Sequence, residues 1–474
     1  MNLDKAEYFD VVCIGLGPAG MAVSILAAEI GLRVCAIEKD KVGGECLNVG
    51  CIPSKSLLRM SKNKYAMTKL KNLKLTSDEA PELKDPFTLI NEQLDYISHK
   101  KTLKMFDKVQ LIVGEGEASF IDSRHVKIGD RIVTGRNIFI ASGTLPVIPD
   151  IPGINDVDLL TNQNLFQLSE IPSSMTIIGG GTIGCEMAQA FAKLGTKCNI
   201  VHKAEKLIPM GDDDASKILE EVFIKEGIEI YNGKEIEKIT KEGNEILVHT
   251  TDGIVLKSER LLLASGREIA LESLKLENTK VKYDKKGIKV NNKQKTTESH
   301  IYAVGDCTGG VMLSHAAMHQ GMFAIMNAIS PFSLFQYKNY VIPWTIFTDP
   351  AISHVGMTPK ELKEKKIKYK TYTAKYEDYG SAIAEDVGIG FVKVYANYFG
   401  RVYGVSIVGE GSGEMINEWA LIIQQKIRLH SVMFLAHSFP TMGFLSKRVA
   451  EMWMMEKMES KNLRKFIRVF YKRM

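Results

Sequence analysis

A short apolar strand, a glycine-rich turn, a helical stretch and a second apolar strand occur in that order twice in this chain. Residues 11–14 run into Gly15-Leu16-Gly17-Pro18-Ala19-Gly20, then a helical stretch to about Ile30, then the apolar run 34–37 ending at Glu38. Residues 175–178 run into Gly179-Gly180-Gly181-Thr182-Ile183-Gly184, a helix to about Leu194, and the apolar run 198–201. Each is a βαβ unit whose glycines permit a tight turn and let the backbone approach a pyrophosphate at a helix N-terminus. In the first unit, Glu38 stands where a carboxylate bonds ribose hydroxyls. In the second, Val201 is followed by His202 and Lys203 instead of an acid. Without the carboxylate a 2′-phosphate is not repelled, and a basic neighbour attracts one, so this unit favours NADPH, with NADH the alternative. If His202 and Lys203 are only solvated loop residues, that preference falls away.

After each unit come short strands separated by turn signals, over residues 111–142 and 229–264, which predict an antiparallel meander each time. Beyond about Val341 the pattern changes to α+β, with strands near residues 391–395 and 402–408. A length of 474 residues suits about three domains. The fold class expected is therefore α/β, with two Rossmann-like dinucleotide-binding domains, antiparallel meander insertions and a C-terminal α+β domain. The apolar share of 45% and charged share of 25% exclude wholesale disorder. No apolar run reaches the ~18 residues of a membrane span. The charged N-terminus followed by a short apolar run does not read as a signal peptide. Seven cysteines are few and odd in number, which argues against a secreted disulfide scaffold and for a cytoplasmic setting. No zinc-finger or helix-turn-helix pattern is present, so no nucleic-acid partner is expected.

The third motif is Gly43-Gly44-Glu45-Cys46-Leu47-Asn48-Val49-Gly50-Cys51-Ile52-Pro53-Ser54-Lys55. Two cysteines five apart, in a glycine-rich turn that opens a helix, can meet as a disulfide, and a helix N-terminus favours the thiolate. A metal pair or two unrelated core cysteines are the alternatives. A zinc site needs two further ligands at recognisable spacing, and none lies nearby, so no metal is expected.

The run 44–55 between two glycine motifs resembles the flavoprotein disulfide reductases, which include glutathione reductase, dihydrolipoamide dehydrogenase and mercuric ion reductase. The resemblance extends to Ala141-Ser142-Gly143, Ala264-Ser265-Gly266-Arg267, Tyr302-Ala303-Val304-Gly305-Asp306, Phe347-Thr348-Asp349-Pro350, and Gly404 through Gly409 to Gly413-Glu414. It implies an FAD enzyme taking electrons from NADPH or NADH and passing them through a Cys46–Cys51 disulfide. Gly15, Gly17, Gly20, Glu38, Gly44, Ser142, Gly143 and Asp306 would serve FAD. Gly179, Gly181, Gly184, His202, Lys203, Gly266 and Arg267 would serve the nicotinamide nucleotide or line the site. Cys51 would be the flavin-side thiol and Cys46 the interchange thiol, with Lys55 near the flavin and paired with Glu186. The implied domains are residues 1–149 with 270–340 for FAD, 150–269 for NAD(P), and 341–474 for homodimerisation.

The C-terminal motif departs from that family. Where its reductases carry His-Pro-Thr followed shortly by Glu, this chain reads His437-Ser438-Phe439-Pro440-Thr441-Met442-Gly443-Phe444. Phe439 takes the place of the acid–base histidine and Phe444 that of its glutamate, which argues against efficient lipoamide or glutathione chemistry. His437 corresponds to an upstream position. Mercuric reductases also lack the histidine but add a terminal cysteine pair, and no cysteine follows Cys307 here. The acceptor therefore stays open between a disulfide, a metal ion and a quinone, and a redox-inactive flavoprotein scaffold is the non-enzyme alternative.

Residues 447–474 carry nine Lys/Arg against three Glu, leaving a charge of about −1 on the other 446 residues. In the terminal stretch, Leu463, Phe466, Ile467, Phe470, Tyr471 and Met474 fall on one helical stripe. Lys461, Arg464, Lys465, Arg468, Lys472 and Arg473 fill the rest. Such a basic amphipathic helix suits either an anionic membrane surface, placing the enzyme peripherally at the inner membrane, or docking on the body or dimer mate. Cys13, Cys35, Cys185 and Cys198 read as core residues, and His315 and His319 as structural histidines.

Overall fold

The computed structural model describes residues 3–78, 83, 85–332, 335–337 and 340–471. The chain forms two compact bodies. One comprises residues up to 179 with 193–198 and 235–339; the other comprises 180–192, 199–234 and the chain from Tyr340 on.

The first body is organised on the strand Glu7–Ile14, which pairs in parallel with Val34–Glu38 on one side and Arg131–Ile140 on the other. Val11, Val12, Cys13 and Ile14 are all buried, the signature of a parallel strand covered on both faces. The helix Pro18–Glu29 starts with proline in its first turn, where the missing amide costs nothing. The first predicted meander turns out differently. Gln110–Val113 extends the parallel sheet beside Val34–Glu38, and only Ser119–Phe120 and His125–Ile128 are antiparallel. Arg131–Ile140 is long enough to change partner along one edge, pairing with His125–Ile128 at its start and with Ile301–Ala303 at its end. In the second expected meander, Ile236–Glu242, Glu245–Thr250 and Val255–Ser258 form a three-stranded antiparallel sheet. Arg260–Leu263 instead runs parallel to Ser174–Ile178.

The second body holds the helix residues 182–192 and residues 199–202, which pair in parallel with Glu229–Asn232. Its antiparallel sheet runs in the order Trp344–Ile346, Ile352–Gly356, Val402–Val408, Phe391–Ala396, Lys370–Lys375. The helices Ser412–Gln424 and Phe444–Met458 cover it, with Trp419 wholly buried and its indole N–H donated to Ser446 at 3.1 Å. Among the described residues no helix is long and apolar enough to cross a membrane. The terminal helix spans Lys461–Tyr471; Lys472, Arg473 and Met474 lie outside the described residues.

Candidate active site

Gly15 adopts φ +95°, and a Cβ there would lie 2.3 Å from the Ala141 carbonyl oxygen. Gly179 repeats this with φ +118° and the Ala264 carbonyl at the same 2.3 Å. The two turns are thus built alike, each pressed on the end of a neighbouring parallel strand. At Gly20 a Cβ would strike the Gly15 carbonyl, and at Gly44 it would strike the Gly17 backbone. At Gly17, Gly143, Gly181 and Gly266 a Cβ would meet open space instead. Tight packing behind the turns and open space before them is the shape that lets a backbone cradle a pyrophosphate. Gly184 is buried in the helix Thr182–Leu194. Glu38, at its strand end, accepts from the Leu16 amide at 2.7 Å and the Asp40 amide at 3.0 Å, so its carboxylate is fixed beside the first turn. These residues fit a bound dinucleotide such as FAD.

Cys46 lies on the short helix Gly44–Asn48, and Cys51 opens the helix Cys51–Asn72. Pro53 in that first turn and Lys69 and Lys71 in the last suit the helix ends. Neither cysteine takes part in a disulfide in this structure. Their mutual hydrogen bond, then burial, pushes the Cys46 thiol far above its ordinary value, while Ser314 and Lys55 act the other way. The Cys51 sulfur sits 3.2 Å from the Ser314 hydroxyl at the start of the helix Ser314–Ile329. Ser314 carried no sequence signal, being 263 residues from its partner.

Arg267 does not face open space. It pairs with Glu45 and donates to the Thr144 hydroxyl at 2.7 Å and the Thr144 carbonyl at 2.9 Å. Thr144 in turn donates to Asp306 at 3.4 Å. Burial raises the Asp306 carboxyl above the usual range, Arg267 opposes that rise and Glu45 adds to it. Glu45 was passed over in the sequence although it is the one acid inside the cysteine motif. Ser142 is exposed.

Glu186 is buried and accepts from the Phe347 amide at 2.9 Å. One turn along, Gln189 grips Asp349 by both main-chain groups, accepting from its N–H and donating to its C=O at 2.7 Å each. His202 is half-buried, with its ring against Gly180 and its Nε2 without a hydrogen-bond partner. Burial lowers its pKa and disfavours its cation, and the neighbouring Lys203 is exposed.

At the C-terminal motif Phe439 is 71% exposed and meets Phe444 edge-on at 5.4 Å, while Phe444 stacks on Tyr379. His437 faces Glu418 at 3.1 Å through Nε2 and the Leu435 carbonyl at 3.3 Å through Nδ1. With acceptors on both nitrogens, this ring is held as a strut between two helices. His315 is exposed, and His319 packs edge-on against Phe323. Among the described residues no group of three or more His, Cys, Asp or Glu could hold a metal ion.

Two nucleotide-shaped glycine turns and a thiol pair beside one of them define a flavin-linked dithiol oxidoreductase. Residues 9–321 match the family described as pyridine nucleotide-disulphide oxidoreductase, and residues 342–448 match its dimerisation domain. The chain is 32% identical over 441 residues to a dihydrolipoyl dehydrogenase of Bacillus subtilis (strain 168), covering 91% of this chain and 95% of that one. It is 30% identical over 430 residues to a mercuric reductase of Staphylococcus aureus, covering 90% and 78%. The solved HOCl-induced flavoprotein disulfide reductase RclA from Escherichia coli superposes with a TM-score of 0.84 at 26% identity, covering 94% and 99%. The chain belongs to the pyridine nucleotide-disulphide oxidoreductase family. Members of that family bind FAD and use NAD(P)H, and the dimerisation domain supports a homodimer. The chain is an enzyme of this class, which disposes of the inert scaffold reading.

Proposed function

We propose that this enzyme draws electrons from NADPH and delivers them through Cys46 and Cys51 to an acceptor other than lipoamide or glutathione disulfide. The domains would divide as the resemblance implies, with FAD on residues 1–149 and 270–340, NAD(P) on 150–269, and 341–474 between the subunits. The observation that carries the reading is the pair of thiols in mutual hydrogen-bond contact, one of them at a helix start against Ser314. FAD, when bound, supplies two-electron exchange between nicotinamide and dithiol. The glycine turns, Glu38 and Asp306 would hold it. Cys51 is the thiol nearer the flavin and Cys46 the one that meets the acceptor. Lys55 follows Cys51 by one turn on the same helix and acts to lower the pKa of the Cys46 thiol. Lys203 supports NADPH, and the neutral, half-buried His202 adds shape but no charge.

Anaerobic titration of the purified yellow protein with NADPH and NADH tests this. A long-wavelength thiolate–flavin band that is lost in Cys51→Ser supports it. Absence of flavin, or of reduction by either nucleotide, overturns it.

The acceptor is a matter for assay. The Escherichia coli neighbour has been solved as a Cu(II) complex, which makes Cu(II) one candidate metal acceptor beside mercuric ion. A second reading, quinone reduction at a membrane surface, is favoured by the terminal helix, whose Lys461, Arg464, Lys465 and Arg468 are exposed together with Ile467 and Tyr471.

A further inference from the structure

Two helices begin at one sulfur. Cys51 is the first residue of the 22-residue helix Cys51–Asn72, and its Sγ lies 3.2 Å from the Oγ of Ser314, the first residue of the 16-residue helix Ser314–Ile329. At neither start does a side chain cap the exposed amides, and neither first turn holds an acid. A helix start carries partial positive charge that favours an anion within its first turn. The Ser314 hydroxyl also bonds Cys46 and acts to lower its pKa, so this one group reaches both members of the pair.

We propose that Ser314 is a catalytic residue that holds Cys51 as the thiolate once the Cys46–Cys51 bond is open. This rests on the reading of Cys46 and Cys51 as the redox pair. Reduction by NADPH delivers a hydride equivalent, two electrons and one proton, which breaks the S–S bond and leaves one thiol, one thiolate and NADP⁺. The hydrogen bond with Cys51, then burial, raises the Cys46 thiol, so Cys46 keeps the proton and the charge falls to Cys51. A thiolate can only accept a hydrogen bond, so in that state Ser314 is the donor, and a bond made to the charged form favours that form. The two helix starts act in the same sense. With Phe439 and Phe444 in the places of the family's acid–base pair, no side chain at those positions can share the charge. The titratable groups on the elements that meet here are Cys46, Lys55 one turn along the helix from Cys51, and His315, which follows Ser314 and is exposed.

The test starts from a Cys46→Ser holoenzyme, which cannot form the disulfide, so its long-wavelength thiolate–flavin band reports Cys51 without any reductant. The pH at which half the band is lost should rise by about one unit, tenfold in proton affinity, when Ser314→Ala is added. Ser314→Thr, which keeps the hydroxyl, should stay near the parent. The rate of Cys51 alkylation by iodoacetamide, read by peptide mass spectrometry over the same pH range, should shift by the same amount. An unmoved midpoint in a Ser314→Ala protein that retains its flavin, or a Ser314→Thr protein that shifts as far as Ser314→Ala, overturns the proposal. A band missing at every pH beside an alkylation profile that shifts as expected supports the donor role of Ser314 and strikes the flavin-side assignment of Cys51 alone. Because no reductant is used, the outcome is independent of whether a nicotinamide nucleotide reduces the enzyme.

Discussion

Position 439 holds an aromatic ring that can neither accept nor donate the proton that thiol exchange requires. Phe439 leans on Phe444, and Phe444 on Tyr379, so the pair is an apolar surface where the family's reductases place an acid–base dyad. A positioned acid–base group is worth roughly 10²–10⁴-fold. Lipoamide turnover by this enzyme is therefore expected to be low, and Phe439→His combined with Phe444→Glu should raise it by about 10²-fold. Steady-state assay with lipoamide checks this. Brisk turnover in the parent enzyme that persists in His437→Ala would show the argument to be wrong. If brisk turnover is lost in that variant, His437 is the base despite its two engaged nitrogens. At the other end of the electron path, Lys203→Ala should raise the KM for NADPH about tenfold and leave that for NADH little changed, since a charge-assisted hydrogen bond is worth about 1.5–3 kcal/mol. Equal effects on both nucleotides would remove the case for a bound 2′-phosphate.

Between elements, one commitment is buried charge. Lys393, on the strand Phe391–Ala396, donates to Asp212 at 2.7 Å and Asp214 at 2.6 Å, and Tyr395 donates to the other Asp212 oxygen. Asp212 also caps the helix Asp213–Lys225 by accepting from the Asp214 amide. Burial opposes the Asp212 charge, but Lys393 and Tyr395 prevail and hold the carboxyl below the usual range. A depressed acid stabilises the fold above its unfolded pKa, about 3.9, and loses that contribution as pH falls through the folded value. Thermal melts should therefore show this contribution constant above about pH 5 and fading below pH 4. Lys393→Met leaves Asp212 buried without its cation, for which the expected loss is about 3–5 kcal/mol. A variant within 1 kcal/mol of the parent in denaturant titration would contradict this. The same scale explains what could be read in advance. The glycine turns and the cysteine pair were legible because each is a local pattern whose meaning lies within about 25 residues. The Glu45–Arg267 pair was not, since its members are 222 residues apart and nothing local marks them as partners. Nor was the parallel placement of Gln110–Val113, because strand order depends on the crossover and not on the strand's own alternation. The misreading of a meander there follows from turn signals that antiparallel and parallel connections share.

On the scale of the whole molecule, the excess positive charge sits in one terminal segment. The helix Lys461–Tyr471 presents Lys461, Arg464, Lys465 and Arg468 to solvent with Ile467 and Tyr471 also exposed; of Leu463, Phe466 and Phe470 only the backbone is described. Each Lys or Arg near an anionic bilayer contributes about 1 kcal/mol, so four to six of them with an apolar face suffice for reversible attachment. The expected outcome is co-sedimentation with vesicles rich in phosphatidylserine at low salt, lost on truncation at Ser460 and weakened as salt is raised. Equal behaviour of the full and truncated chains would assign the helix to packing and take the quinone reading with it.

The strand Arg131–Ile140, which borrows Ile301–Ala303 as a neighbour, also sets a timetable for biosynthesis. At about 5–20 residues per second, the ribosome needs roughly ten to thirty seconds to travel from one to the other. Throughout that interval the C-terminal half of a buried, apolar strand has an open edge, the kind of template on which nascent chains pair wrongly. The intervening residues include the second glycine turn and the three-stranded sheet, so they emerge and collapse while the first sheet still waits for its last member. The first nucleotide site, though encoded at the very start of the chain, is thus among the late structures to close, and chains stalled before residue 301 should accumulate with chaperones instead of taking up flavin.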